Sequence, residues 1–150
     1  MLNFKMLPIL GLSALSGCGI FEDKGPLSVT ISTGCVLEAV NEKSGGPWAA
    51  KPGTVKLAGW MVDTIKKTTP ETVNMQLVNA AGTVVALASA KRAERPDVVT
   101  HFKEPNFKMA GITADLDASK LPAGEYTFSA VMSQGNAITY CPLNVKFAIQ

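Results

Sequence analysis

A chain of 150 residues with 14 Lys+Arg against 12 Asp+Glu, and hence a formal net charge of +2, has room for one domain with a substantial core. Its charges are scattered in both signs, which excludes the basic run that nucleic acid demands and the acidic tail of a solvating segment. Three cysteines and one histidine do not make a tetrahedral zinc set, and a Gly-rich phosphate loop is absent, so neither metal nor other cofactor is expected.

Lys5 precedes an almost wholly apolar run over residues 6–15. About ten residues make a helix of about 15 Å, half of what a bilayer core requires. A positive start, a short apolar core and a small-residue exit match a secretory signal peptide. The exit reads Leu15-Ser16-Gly17-Cys18. It resembles the lipobox of bacterial lipoproteins: aliphatic, small, small, cysteine. The resemblance implies that the Cys18 thiol takes a diacylglyceryl group and that the chain is cut just before it. Residues 1–17 are then a leader, 18–26 a lipidated tether and 27–150 the domain. Gly19 stands where an Asp would favour retention at the inner membrane, so the resemblance implies the outer membrane; the expected place is its periplasmic face, with the external face left open.

Cys35 and Cys141 remain. In an exported chain an even remainder favours a disulfide.

The domain reads as strands. Residues 27–33 (LSVTIST) alternate apolar and polar side chains, and a long Gly/Pro loop follows over 38–53. Residues 54–63 alternate again, with Val55, Leu57 and Gly59 opposite Lys56, Ala58 and Trp60; Trp60 reads as a core aromatic. Val73, Met75 and Leu77 share a face, and Ala80-Ala81-Gly82 returns the chain as a hairpin. Pro96 and Asp97 suit the start of one helical turn, with Val98, Val99 and Phe102 as its apolar side. Strands resume over 109–116, 125–133 and 137–149. Leu121 plugs the end of the core, and Pro142 requires an edge or a bulge. About seven short strands predict an antiparallel β-sandwich, with Cys35 brought close to Cys141.

ERPDV over 94–98, the Gly-led strand 111–116 and D-x-S-x-L-P-x-G-x-Y over 117–126 together resemble the immunoglobulin-like β-sandwich modules of bacterial secreted and envelope proteins. The resemblance implies a fold and carries over no catalytic residue.

Chemistry is sparse. His101 is the only histidine, and no nucleophile elbow accompanies it. Asp115, Asp117 and Ser119 begin like a calcium loop, but Lys120 stands where glycine is needed and Tyr126 where glutamate is. Asp117 instead suits capping of its own turn. Lys91, Arg92 and Arg95 offer a basic group to an anionic partner or to water. Trp48, in the Gly/Pro loop, either docks onto the sandwich or meets a ligand. With the lipobox resemblance, the expectation is a non-enzymatic envelope lipoprotein, held to the membrane by its lipid and acting as a binding or accessory module for an envelope protein. Trp48, Arg92 and Arg95 are its candidate contacts. The alternatives are a module for envelope glycan and the outer-membrane anchoring lipoprotein of a secretion apparatus.

Overall fold

Alternating apolar side chains make strands, and the computed structural model, which describes residue 25 and residues 27–150, contains eleven of them. The leader over 1–17, the lipidation position Cys18 and the tether other than Gly25 lie outside the described residues. In chain order the strands are β1 (Ser28–Ile31), β2 (Cys35–Val40), β3 (Lys43–Ser44), β4 (Trp48–Ala50), β5 (Thr54–Met61), β6 (Thr72–Asn79), β7 (Val84–Ser89) and β8 (Lys91–Ala93). A short helix α1 (Pro96–Phe102) and a 3₁₀ turn (Pro105–Phe107) follow, then β9 (Gly111–Asp117), β10 (Gly124–Gln134) and β11 (Ala137–Ile149).

They form a β-sandwich. One sheet has the order β1-β11-β10-β6-β7, with β4 sharing the outer edge of β11; the other has the order β3-β2-β5-β9-β8. All pairings are antiparallel except those of β1 and β4 with β11. The inward positions form one continuous core: Val55, Leu57 and Met61 from β5, Val73, Met75 and Leu77 from β6, Ile112 and Leu116 from β9, and Phe128 and Met132 from β10. Burial of these side chains is the main stabilising term. Leu121 packs against this core, as its sequence position suggests. A disulfide joins Cys35 at the start of β2 to Cys141 in β11, with the Cα atoms 6.5 Å apart, and so ties one sheet to the other.

Turns follow local chemistry. Between β6 and β7, Asn79 Oδ1 accepts from the N–H groups of Ala81 and Thr83, and Gly82 takes a φ of +82°. At the turn into β10, the hydroxyl of Tyr126 donates to the carbonyl of Pro122 at 2.7 Å. Asp117 Oδ1 accepts from the N–H of Ser119 at 2.9 Å, which is turn capping. Pro142 sits beside a bulge: the register shifts between Phe128 paired with Val145 and Ser129 paired with Pro142, and Asn144 is left-handed.

Two segments differ from the sequence reading. Residues 38–53, expected as a loop, contain the end of β2 and all of β3 and β4. A bulge between Leu37 and Ala39 breaks the two-residue alternation in β2, and Asn41 and Glu42, both at positive φ, turn the chain tightly into β3. Residues 91–93, which carry no strand alternation in the sequence, pair with β9 as β8. These short strands raise the number above seven without changing the class of fold.

Candidate functional site

On the outer face of the five-stranded sheet, a second apolar cluster of Val62, Val98, Phe107 and Ala110 seats α1. Trp60 points outward from β5 and packs against this cluster, half-buried. Its ring meets Phe102 edge-on at 5.5 Å between centroids, and Phe102 meets Phe107 and His101 in the same manner at 5.4 and 4.9 Å. Edge-to-face contacts of this kind are the favoured aromatic geometry.

Beside these rings lies an open groove of about 360 Å³ lined by Glu38, Trp60, Arg95, Asp97, His101 and Phe102, with Val98 as its floor. Arg95, immediately before α1, is clamped by two carboxylates. Its Nη1 and Nη2 donate to Glu38 at 2.7 and 3.0 Å, and its Nε and Nη2 donate to Asp97 at 2.8 and 2.6 Å. These forked, charge-assisted bonds fix the guanidinium plane. Hydrogen bonding to Asp97 and then to Glu38 raises the pKa of Arg95. The same contact with Arg95 lowers that of Asp97 to about 2. The three groups carry a net charge of −1, and the carboxylate oxygens keep lone pairs for donors from a ligand. An aromatic wall beside fixed acceptors suits a ligand with an apolar face and hydroxyl or amino groups.

The sequence-derived candidates separate. Trp48 is 8 % exposed and packs in the main core. Its Nε1–H donates to the Lys43 carbonyl at 2.8 Å, and β4 pairs Trp48 with Phe147. Of its two readings, the docked one describes its place. Arg92 turns inward. It donates to the carbonyls of Pro70, Met61 and Ala110 at 2.6, 3.1 and 3.4 Å, and burial lowers its pKa. Arg95 alone of the three lines the groove. Trp60, Phe102, His101 and Glu38 were not grouped by sequence. The available signal was Trp60 itself, an aromatic on the Lys56/Ala58 side of an alternating strand.

Comparison with known proteins finds no matching family model, no matching curated protein and no matching solved structure.

Proposed function

We propose that the chain is a non-enzymatic envelope lipoprotein: a sandwich domain tethered through lipid on Cys18 to the periplasmic side of the outer membrane, where it binds an envelope partner. The observation that carries this reading is the Leu15-Ser16-Gly17-Cys18 exit from a short apolar run, followed by a few tether residues and a domain closed by a disulfide. Disulfides persist in oxidising compartments, which agrees with export. The Tyr126 hydroxyl bonded to an upstream carbonyl at the turn into its strand is a hallmark of immunoglobulin-like sandwiches, and it supports reading the domain as such a module. Modules of this architecture serve many functions, so the partner is argued from the site.

A second reading, binding of envelope glycan, is favoured by the groove. Trp60 and Phe102 offer apolar ring surface, and the clamped carboxylates of Glu38 and Asp97 offer acceptors for sugar hydroxyls.

Metabolic lipid labelling and membrane fractionation of the wild type and of Cys18→Ala test the anchor. The variant is expected to lose label and to leave the outer membrane, and normal labelling and fractionation would reject the reading. A photocrosslinking residue in place of Phe102 then tests the groove in cells. A discrete protein adduct supports the partner reading. Peptidoglycan retention lost in Trp60→Ala supports the glycan reading, and turnover of ester or glycoside substrates would overturn the non-enzymatic assignment.

A further inference from the structure

The edge of the sandwich nearest the tether is apolar and open to solvent. Leu27, Val29 and Ile31, at alternate positions, are 65 %, 62 % and 70 % exposed. The parallel register pairs Val29 with Ile138 and Ile31 with Tyr140, and β10 in turn sets Val131 against Tyr140. Paired residues share a face of a sheet, so the stripe continues inward over half-buried Ile138, Tyr140 and Val131 on the outer face, with Ser133 beside Ile138 as its polar border. On the other face of β1, Thr30, also exposed, hydrogen-bonds to Thr139. Contiguous apolar surface of this kind marks an interaction site.

The position of the patch points to its occupant. Asn136 fixes the chain entry: its Nδ2 donates to the Gly25 carbonyl, and its own carbonyl accepts from the N–H of Ser28. Gly25 is only seven residues from Cys18. Such a tether spans at most about 25 Å and averages about 15 Å as a flexible chain. The loop between β5 and β6 lies at the same end, where the Thr68 hydroxyl donates to Gln134 at the tip of the β10–β11 hairpin. That loop presents Ile65, 73 % exposed, followed by Lys66 and Lys67. Lys103 and Glu104 lie beside Thr64 and Lys67 of that loop, and Glu71 precedes Thr72, which pairs with Ser133 near the hairpin tip, so the charge of this end is mixed and apolar contact is the main attraction.

We infer that this corner of the domain, the Leu27/Val29/Ile31 stripe with Ile65, seats on the lipid surface that holds the anchor, inserting its side chains among the headgroups. The inference rests on lipidation of Cys18. Lipid chains alone leave the domain free to tumble on its tether, whereas a second, apolar contact fixes its orientation and turns the α1 groove in a constant direction relative to the membrane. Interfacial contacts of this type scale with the apolar area they bury.

The test uses the full-length lipoprotein reconstituted into phosphatidylethanolamine/phosphatidylglycerol vesicles. Because Cys35 and Cys141 are bonded to each other, a polarity-sensitive fluorophore can be placed selectively through Val29→Cys, Ile31→Cys, Ile65→Cys or, on the far edge strand β7, Leu87→Cys. Quenching by headgroup-proximal brominated or doxyl lipid is expected at 29, 31 and 65, with a blue-shifted emission, and no quenching at 87. Wild-type flotation with the vesicles reports the anchor separately. Failure to float would overturn the lipidation reading and this inference with it. Flotation with water-exposed labels at 29 and 31 would overturn the inference alone. Labels shielded from both water and lipid would mean that a second copy or another protein covers the stripe, and would equally overturn it.

Discussion

The phenol of Tyr126, at the start of β10, reaches back four residues to donate its hydroxyl proton to the carbonyl of Pro122. The bond locks the turn that carries the chain from one sheet to the other, and the ring itself is buried in the core. Tyr126→Phe keeps the ring and removes only the bond. The expected loss is about 1 kcal/mol, read as a lower urea midpoint at unchanged slope. An unchanged midpoint would mean that the turn is held by Leu121 packing alone.

Cys35 and Cys141 close a loop with a sequence separation of 106. In the chain-entropy model a loop of about this length stabilises the folded state by about 4–5 kcal/mol. Reduction with dithiothreitol, or Cys35→Ala with Cys141→Ala, is expected to lower stability by several kcal/mol in urea melts. Equal stability of oxidised and reduced protein would show that sheet-to-sheet packing makes the bond redundant.

Much of the sandwich was legible because β5 and β6 alternate cleanly toward the core, and β10 does so in its apolar residues, although Ser129 between them is also buried. Val55/Leu57, Val73/Met75/Leu77 and Tyr126/Phe128/Ala130 are all inward. The hairpin at Gly82 and the helix opened by Pro96 were likewise read from residues whose backbone preferences are strong. The strand β2 was not fully legible, since its bulge puts Leu37 and Val40, three apart, on one face. Nor was β8, whose three residues include two cations and carry no alternation. The groove was hidden for a tertiary reason. Glu38, Trp60 and Arg95 come from β2, β5 and the approach to α1, and only sheet pairing brings them together. Trp48 and Arg92 look like surface groups in sequence, yet each satisfies its polar atoms on backbone carbonyls.

Gly59 shows how tightly β2 crosses β5 at its bulge. A Cβ added there would collide with the carbonyl oxygen of Val36, a backbone atom that cannot rotate away. Gly59→Ala is therefore expected to cost about 1–3 kcal/mol, the range for forced overpacking. Thermal unfolding reads it directly, and a neutral substitution would mean that the bulge relaxes freely.

The Arg95 clamp has an acid signature. Asp97 has its pKa lowered from 3.8 to about 2, first by the hydrogen bond from Arg95. A carboxylate with a depressed native pKa contributes stability that is complete above the unfolded value and is lost as pH falls through the native one. The window therefore lies between about pH 4 and about pH 2. Asp97 is solvent-exposed, so its share is small and screened by salt. Urea midpoints across this window should fall less in Asp97→Asn than in the wild type. Parallel acid limbs for the two proteins would show that the clamp contributes nothing to the fold. Asp117 is also depressed, by hydrogen bonding to Ser119, so Asp117→Asn serves to separate the two carboxylates.

Arg92 joins three segments through one side chain. Its guanidinium meets the carbonyl of Pro70 ahead of β6, that of Met61 at the end of β5, and that of Ala110 ahead of β9. Burial disfavours its charge, and the three acceptors offset that cost. Arg92→Met removes the charge and takes its donor from the Pro70 and Met61 carbonyls, while the Ala110 carbonyl keeps the Met61 N–H, for an expected loss of about 2–3 kcal/mol. Arg92→Lys keeps the charge, but a compact ammonium cannot span acceptors on three segments, so an intermediate loss is expected. Amide exchange should quicken in residues 63–70 before the rest of the molecule, since that loop loses its tie to the sheet. Were both variants as stable as the wild type, the guanidinium would be free for a partner, and Arg92 would return to the basic surface that its neighbours Lys91 and Arg95 suggest in the sequence.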